Sequence, residues 1–271
     1  LCLDITNLWY MWEIPLKATG VLGNTWQGQW PDVRKLGYSF NQDVTVLSHR
    51  NTAVVDKSFR EEHKDDPDIL MRGASGNYDN PNFLNFWHPA VRKMIAANLQ
   101  AIARFSKTRP GFQFYDKLVW EPGLGEPGPG FQIGYNRYAK TAFREYLRKK
   151  FGNVERLNQR WRSRYGSFEE ISQPDPAMLG QPARVTPLIR EFEAFQDQSW
   201  VDYLTMCVES IRQEDPLHPV AGETYSGAYV LRNTYNIARQ VPLQYLDHHS
   251  NASVRNYADT HWLYDLCLHT G

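Results

Sequence analysis

One stretch constrains the fold more than any other: residues 112–161, which read FQFYDKLVWEPGLGEPGPGFQIGYNRYAKTAFREYLRKKFGNVERLNQRW. Its opening run of aromatic and branched side chains predicts a buried strand that ends on Trp120-Glu121. The Pro/Gly cluster from Pro122 to Gly130 cannot continue that strand. Beyond it, Tyr138, Ala142, Phe143, Tyr146, Leu147 and Phe151 share one helical stripe, while Arg144, Lys149 and Lys150 fall outside it. The order is therefore strand, irregular loop bearing Glu121 and Glu126, then helix. In a parallel α/β protein such a loop lies at the carboxyl ends of the strands, where ligands bind.

The rest of the chain repeats this logic. LCLDITN at 1–7 reads as a strand whose polar tip offers Asn7 as a ligand or as an ordinary turn residue. Residues 8–80 form a long irregular insertion in which Trp9, Tyr10, Trp12, Trp26 and Trp30 crowd together, either as an aromatic wall for a saccharide or as a small core of their own. The charged piece Arg60 to Asp68 reads as a solvated face.

A helix is predicted to open near His88-Pro89, with Val91, Met94, Ile95, Leu99 and Ile102 as its stripe and its end before Arg109-Pro110. A second helix carries Phe192, Phe195, Tyr203, Leu204, Cys207 and Ile211, and stops at Asp215-Pro216. HPVAGET then gives a strand ending near Glu223, and Leu243 to Asp247 another, followed by Asp247-His248-His249 and a last helix at about Tyr257 to Leu268. Alternating strands and helices predict an α/β fold, a (β/α)8 TIM barrel in one domain spanning 1–271. Only four strands are legible, near Leu3, Val119, Val220 and Tyr245, against the eight a barrel needs. Either further strands lie hidden in the insertion, or this sequence is a partial chain; its start without Met points to the second.

Two carboxylates facing each other across a cleft are the minimum machinery of glycoside hydrolysis, one as acid, the other as nucleophile or base. Glu121, Glu126 and Glu223 are the candidates. Trp120 beside Glu121 would favour the protonated acid by excluding water. An ion pair with a barrel arginine is the structural alternative for Glu121, and a solvated loop position that for Glu126. Tyr225 and the pair Asp247, His248 complete the candidate sugar contacts, with Asn7 and Trp9.

The segment VWEPG, the Gly-rich loop and YNRYAKTAFREYLRKKFGNVERLNQRW together resemble the β-galactosidase-type glycoside hydrolases of family 42. Phe143-Arg144, Leu147, Phe151-Gly152, Leu157-Asn158 and Trp161 match that family's helix pattern, and LHPVAGE and YLDHHS resemble its fifth and sixth strands. The resemblance runs from Phe83 to Gly271. It implies a barrel hydrolase that retains anomeric configuration, with Glu121 as acid/base. Two departures stand out: the asparagine that precedes the family's acid/base is replaced by Trp120 or deleted, which leaves Glu126 as a rival, and the cysteines that bind a structural zinc in some of these enzymes are absent after Pro122. The family's nucleophile lies at the end of strand seven, and by this correspondence the sequence stops just before it. Three readings follow: part of a glycosidase, a divergent barrel in which Glu223 partners Glu121, or a sugar-binding protein on a barrel that has lost its chemistry.

Composition narrows the partners. Thirty basic and thirty acidic residues cancel, so no global field favours nucleic acid or an anionic membrane. No apolar run reaches the roughly 18 residues of a membrane helix. Cys2, Cys207 and Cys267 lack metal spacing, and His248-His249 has no third ligand at recognisable distance, so neither metal nor cofactor is expected. The expected partners are an oligo- or polysaccharide substrate and a second copy of the chain in a homo-oligomer. An aromatic content of 14% would serve either sugar stacking or a large core.

Overall fold

The computed structural model describes residues 40–44, 46, 57–73, 76–77, 84–109, 111–116, 118, 133–178, 185–225 and 239–249. The strand expected near Leu3 and the last helix expected at Tyr257 to Leu268 lie outside them.

Four strands run parallel side by side. β1 (Phe40–Asp43) pairs with β4 (Phe112–Asp116). A parallel bridge between Tyr115 and Val220 joins β4 to β5 (Ala221–Tyr225), which pairs in turn with β6 (Tyr245–His249). The ladder between β1 and β4 continues past their ends, because Val44 N–H donates to the Asp116 carbonyl at 3.0 Å and Val46 N–H to the Leu118 carbonyl at 3.2 Å. β1 falls inside the stretch that reads as irregular. Its sequence, FNQD, has few strand-favouring residues, so its conformation comes from the ladder with β4 rather than from propensity. The same stretch holds α1 (Lys57–Glu62) and a short hairpin of β2 (Arg72–Gly73) and β3 (Gly76–Asn77).

Long helices connect the parallel strands, as crossover geometry requires. α2 (Pro89–Ser106) begins where expected: Pro89 sits in its first turn and the His88 ring accepts the Ala90 N–H. Val91, Ile95, Leu99 and Ile102 bury its inner face. α3 (Arg137–Phe151) is capped by Asn136, whose side chain accepts the Ala139 N–H, and it ends at Gly152, with φ of 79°. α4 (Val154–Trp161) follows at once. α5 (Pro187–Arg212) is capped by Thr186 and buries a stripe from Ile189 through Phe192, Trp200, Leu204 and Cys207 to Ile211.

α2 and α5 pack against each other, and rings fill the space between them and α3. Phe86 lies 5.1 Å from Tyr203, Trp87 5.7 Å from Phe195, and Phe143 5.2 Å from both Phe192 and Phe195. The aromatic surplus, as far as the described residues go, builds core. Cys207 is a buried free thiol whose pKa burial pushes up, which makes it inert.

The residues that carry the resemblance are scaffold. Leu157 is fully buried, and the Asn158 side chain accepts from Ser163 Oγ and Tyr165 N–H and donates to the Tyr165 carbonyl, at 2.8 to 2.9 Å. Trp161 meets Phe151 and Tyr165 edge-on. Arg144 donates to the carbonyls of Ile171 and Glu169, holding a 3-10 turn at Phe168–Glu170.

Candidate active site

Parallel strands all present their carboxyl ends to one side, and loops on that side gather whatever the strands deliver. Leu118 donates its N–H to the Ala221 carbonyl at 3.2 Å, so the end of β4 abuts β5 three residues before Glu121 and two before Glu223. On β5 and β6 the register pairs Glu223 with Asp247, Thr224 with His248 and Tyr225 with His249. The structure thus brings Glu223, Tyr225, Asp247 and His248 together on two neighbouring strands. Asn7, Trp9, Trp120, Glu121 and Glu126 lie outside the described residues.

The return from segment 119–132 is firmly held. Ile133 bridges Gly73 of the hairpin, and the Arg72 carbonyl accepts N–H groups from Gly134 at 3.1 Å and Tyr135 at 3.2 Å. Gln173 donates to the Gly134 carbonyl at 3.0 Å, and Gln196 to the Ile133 carbonyl at 2.6 Å. Gly134 adopts φ of +94°, and a Cβ there would meet Phe192 and Trp87 at 3.4 Å.

The charged piece 60–68 is solvated at Glu61, Glu62, Lys64 and Asp65, as expected, but its end at Asp66 and Asp68 is taken up by the fold. Asp66 Oδ2 accepts from His88 Nε2 at 3.0 Å. The His88 Nδ1 accepts a backbone N–H, so the ring donates through Nε2. The N–H of Asp68 and the bond from His88 hold the Asp66 carboxyl below the usual carboxylate range. Asp68 is buried, accepts the Arg137 N–H at 3.1 Å and lies 3.3 Å from the Arg137 guanidinium. Two aspartates therefore tie the start of α2 to the start of α3, at the edge where β4 delivers its loop. Charge alone marks 60–68 as surface; the partners that reclaim Asp66 and Asp68 are 22 and 69 residues away.

Sequence reasoning also missed the bracing glutamines. Gln196 had a visible signal: it lies four residues after Phe192 and four before Trp200, a polar side chain on the apolar stripe of α5. Gln173 and the Arg72 carbonyl had none, since a backbone acceptor has no sequence signature.

Among the described residues, no group of three His, Cys, Asp or Glu side chains is arranged to hold a metal. No described helix is long and apolar enough to cross a membrane.

Comparison with known proteins fits this geometry. A family model described as Beta-galactosidase, the glycoside hydrolase family 42 model, matches residues 125–267. Beta-galactosidase Bga of Halorubrum lacusprofundi is 30% identical over 106 residues, covering 37% of this chain and 14% of that protein. A beta-galactosidase of Arthrobacter sp is 27% identical over 162 residues, covering 56% of this chain and 22% of that protein. The crystal structure of beta-galactosidase from Bacillus circulans sp. alkalophilus superposes with a TM-score of 0.72 at 15% identity, over 95% of this chain and 37% of that one. The chain spans less than a quarter of the length of these two curated relatives. The structural likeness shows the fold, part of a (β/α)8 barrel, and the parallel order β1, β4, β5, β6 belongs to it. By the family model that covers residues 125–267, this chain belongs to glycoside hydrolase family 42, the beta-galactosidase family.

Proposed function

We propose that the chain is barrel sequence of a glycoside hydrolase that cleaves β-galactoside-like bonds with retention of configuration, in one catalytic domain over 1–271 whose stretch 8–80, expected as an insertion, contributes the strand β1. The observation that carries this reading is the parallel adjacency of β4 and β5, in which the end of β4 meets the start of β5, in a chain of this family. Glu121 follows Leu118, the last described residue beyond β4, by three positions, and Glu223 lies on the neighbouring strand. Adjacent strands are about 4.8 Å apart, and retaining enzymes hold their carboxyl groups about 5 to 5.5 Å apart.

In this reading Glu121 is the general acid, with Glu126 as its rival. Protonated, it gives its proton to the glycosidic oxygen as the bond to the anomeric carbon breaks. A second carboxylate attacks that carbon to form a glycosyl ester. Glu121, now a base, takes a proton from the water that hydrolyses the ester. Glu223 is the second carboxylate on the described sheet; the resemblance points instead to a glutamate on a seventh strand. Asp247 and His248, together with Tyr225, Asn7, Trp9 and Trp120, supply contacts to sugar hydroxyls and ring faces.

The test is hydrolysis of a β-galactoside by Glu121→Gln and Glu223→Gln. Glu121→Gln should lose nearly all activity. An equally deep loss in Glu223→Gln makes Glu223 the partner, whereas a shallow one supports the strand-seven glutamate. A parent protein that binds galactosides with no hydrolysis overturns the enzyme reading in favour of a sugar-binding barrel.

A further inference from the structure

The helical layer leaves a cleft of about 390 Å³ between α3 and α5, within the size range of small-molecule sites. Its wall on α3 is low at Ala142, and its floor is the buried pair Trp87 and Phe195, whose rings stack 5.7 Å apart. Arg92, Glu145, Lys149 and Asp202 form the rim, the last three exposed. None of these residues lies on β4, β5 or β6, and none is a candidate for the chemistry there.

Three donors that line the cleft lack a partner. Lys149 forms no ion pair among the described residues, although its neighbours Arg148 and Lys150 reach Glu145 and Glu191. The Ser199 hydroxyl has no partner among them either. Trp87, 8% exposed, keeps its indole N–H buried without an acceptor. Donors left unbonded favour a ligand that brings acceptors.

The charges narrow its class. Arg92 and Lys149 balance Glu145 and Asp202, so the rim favours neither an anion nor a cation. An apolar ligand would strip water from all four without replacing its bonds. A hydroxylated ligand suits the site, because each hydroxyl both accepts, from Lys149 or Ser199, and donates, to Asp202 or Glu145, while its C–H surface packs against the aromatic floor.

We propose that this cleft is a second, non-catalytic saccharide site, which holds a β-galactosyl mono- or disaccharide on the helical flank of the barrel. The choice of sugar rests on the β-galactoside reading above; the site does not depend on which glutamate is the acid.

The experiment acetylates the lysines of the full protein with limiting reagent, with and without a sulfur-linked digalactoside chosen to resist hydrolysis, and locates the label by mass spectrometry. With the sugar at about ten times its dissociation constant, labelling of Lys149 should slow about tenfold while Lys64 and Lys93 are unchanged. Glycine and sulfate, a zwitterion and an anion, should leave Lys149 labelled. Asp202→Ala, at an exposed position, and Ala142→Phe, which fills the cleft, should each raise the sugar concentration needed by about tenfold, with parent kcat on a nitrophenyl β-galactoside. If Ala142→Phe does not fold, Asp202→Ala decides. An unprotected Lys149, equal protection at all three lysines, protection by glycine or sulfate as strong as by the sugar, or protection that the folded variants retain in full overturns the proposal. If the parent hydrolyses β-galactosides while Lys149 stays unprotected, this inference alone fails. If Lys149 is protected in a parent that hydrolyses none, the proposed function fails and the cleft site stands.

Discussion

The hydroxyl of Tyr115, on the central strand β4, donates to the Asp215 carboxylate across 2.8 Å, in the turn that leads from α5 into β5. The same carboxylate accepts from His218 Nδ1 at 2.7 Å and from the N–H groups of Leu217 and His218. Tyr115 N–H also meets the Pro219 carbonyl, so this cluster ties β4 to the turn that starts β5, away from the candidate loops.

That placement separates stability from chemistry. Burial by itself raises the Asp215 carboxyl, but the bonds from Tyr115, His218 and Leu217 outweigh it and hold it below the usual range. Its folded pKa lies beneath an unfolded value of about 3.9, so its stabilisation is complete above that value and is lost as pH falls through the folded one. Asp215→Asn should lower stability at pH 7 by about 1 to 3 kcal/mol and flatten the acid limb below about pH 4. Urea midpoints of both proteins from pH 7 to pH 2 check this.

Asn158→Ala removes three bonds that close the turn after α4. We expect a loss of about 1 to 3 kcal/mol in urea unfolding, with kcat per folded molecule unchanged. A fall in kcat without a fall in stability would place this motif in the chemistry.

Gly134→Ala forces a side chain into φ of +94° against Phe192 and Trp87. Strain of about 1 to 3 kcal/mol follows, and the thermal midpoint should fall accordingly. Because residue 134 follows the candidate segment, kcat should fall as well, beyond what the folded fraction accounts for.

His88→Asn should keep the cap of α2, because an Asn side chain accepts the same N–H, whereas His88→Ala loses both the cap and the Asp66 bond. The expected order of thermal midpoints is parent, Asn, Ala, with about 1 kcal/mol attached to the cap itself.

Much of this frame was legible. Pro89 at a helix start, and periodic stripes such as Val91, Ile95, Leu99 and Ile102, gave α2, α3 and α5, because local rules and tertiary packing agree there. The strands that reach Glu223 and Asp247 were equally readable. β1 was not, since FNQD is strand only by virtue of its ladder with β4. Asp66 and Asp68 read as solvent-facing charge, while their partners, His88 and Arg137, come from the starts of two other elements. Gln196 was legible in principle as the amide on a greasy stripe; its acceptor, a backbone carbonyl 63 residues earlier, was not.

The most direct test of the account replaces Glu121 with Gln and compares two β-galactosides, one with a sugar leaving group and one with dinitrophenolate. A sugar alkoxide needs a proton to depart; dinitrophenolate does not. If Glu121 is the acid, turnover of the first should fall by about a hundred- to ten-thousandfold, and bond cleavage in the second should change little. Parent-like turnover of the unactivated substrate would contradict the assignment and move the acid to Glu126 or off this segment altogether.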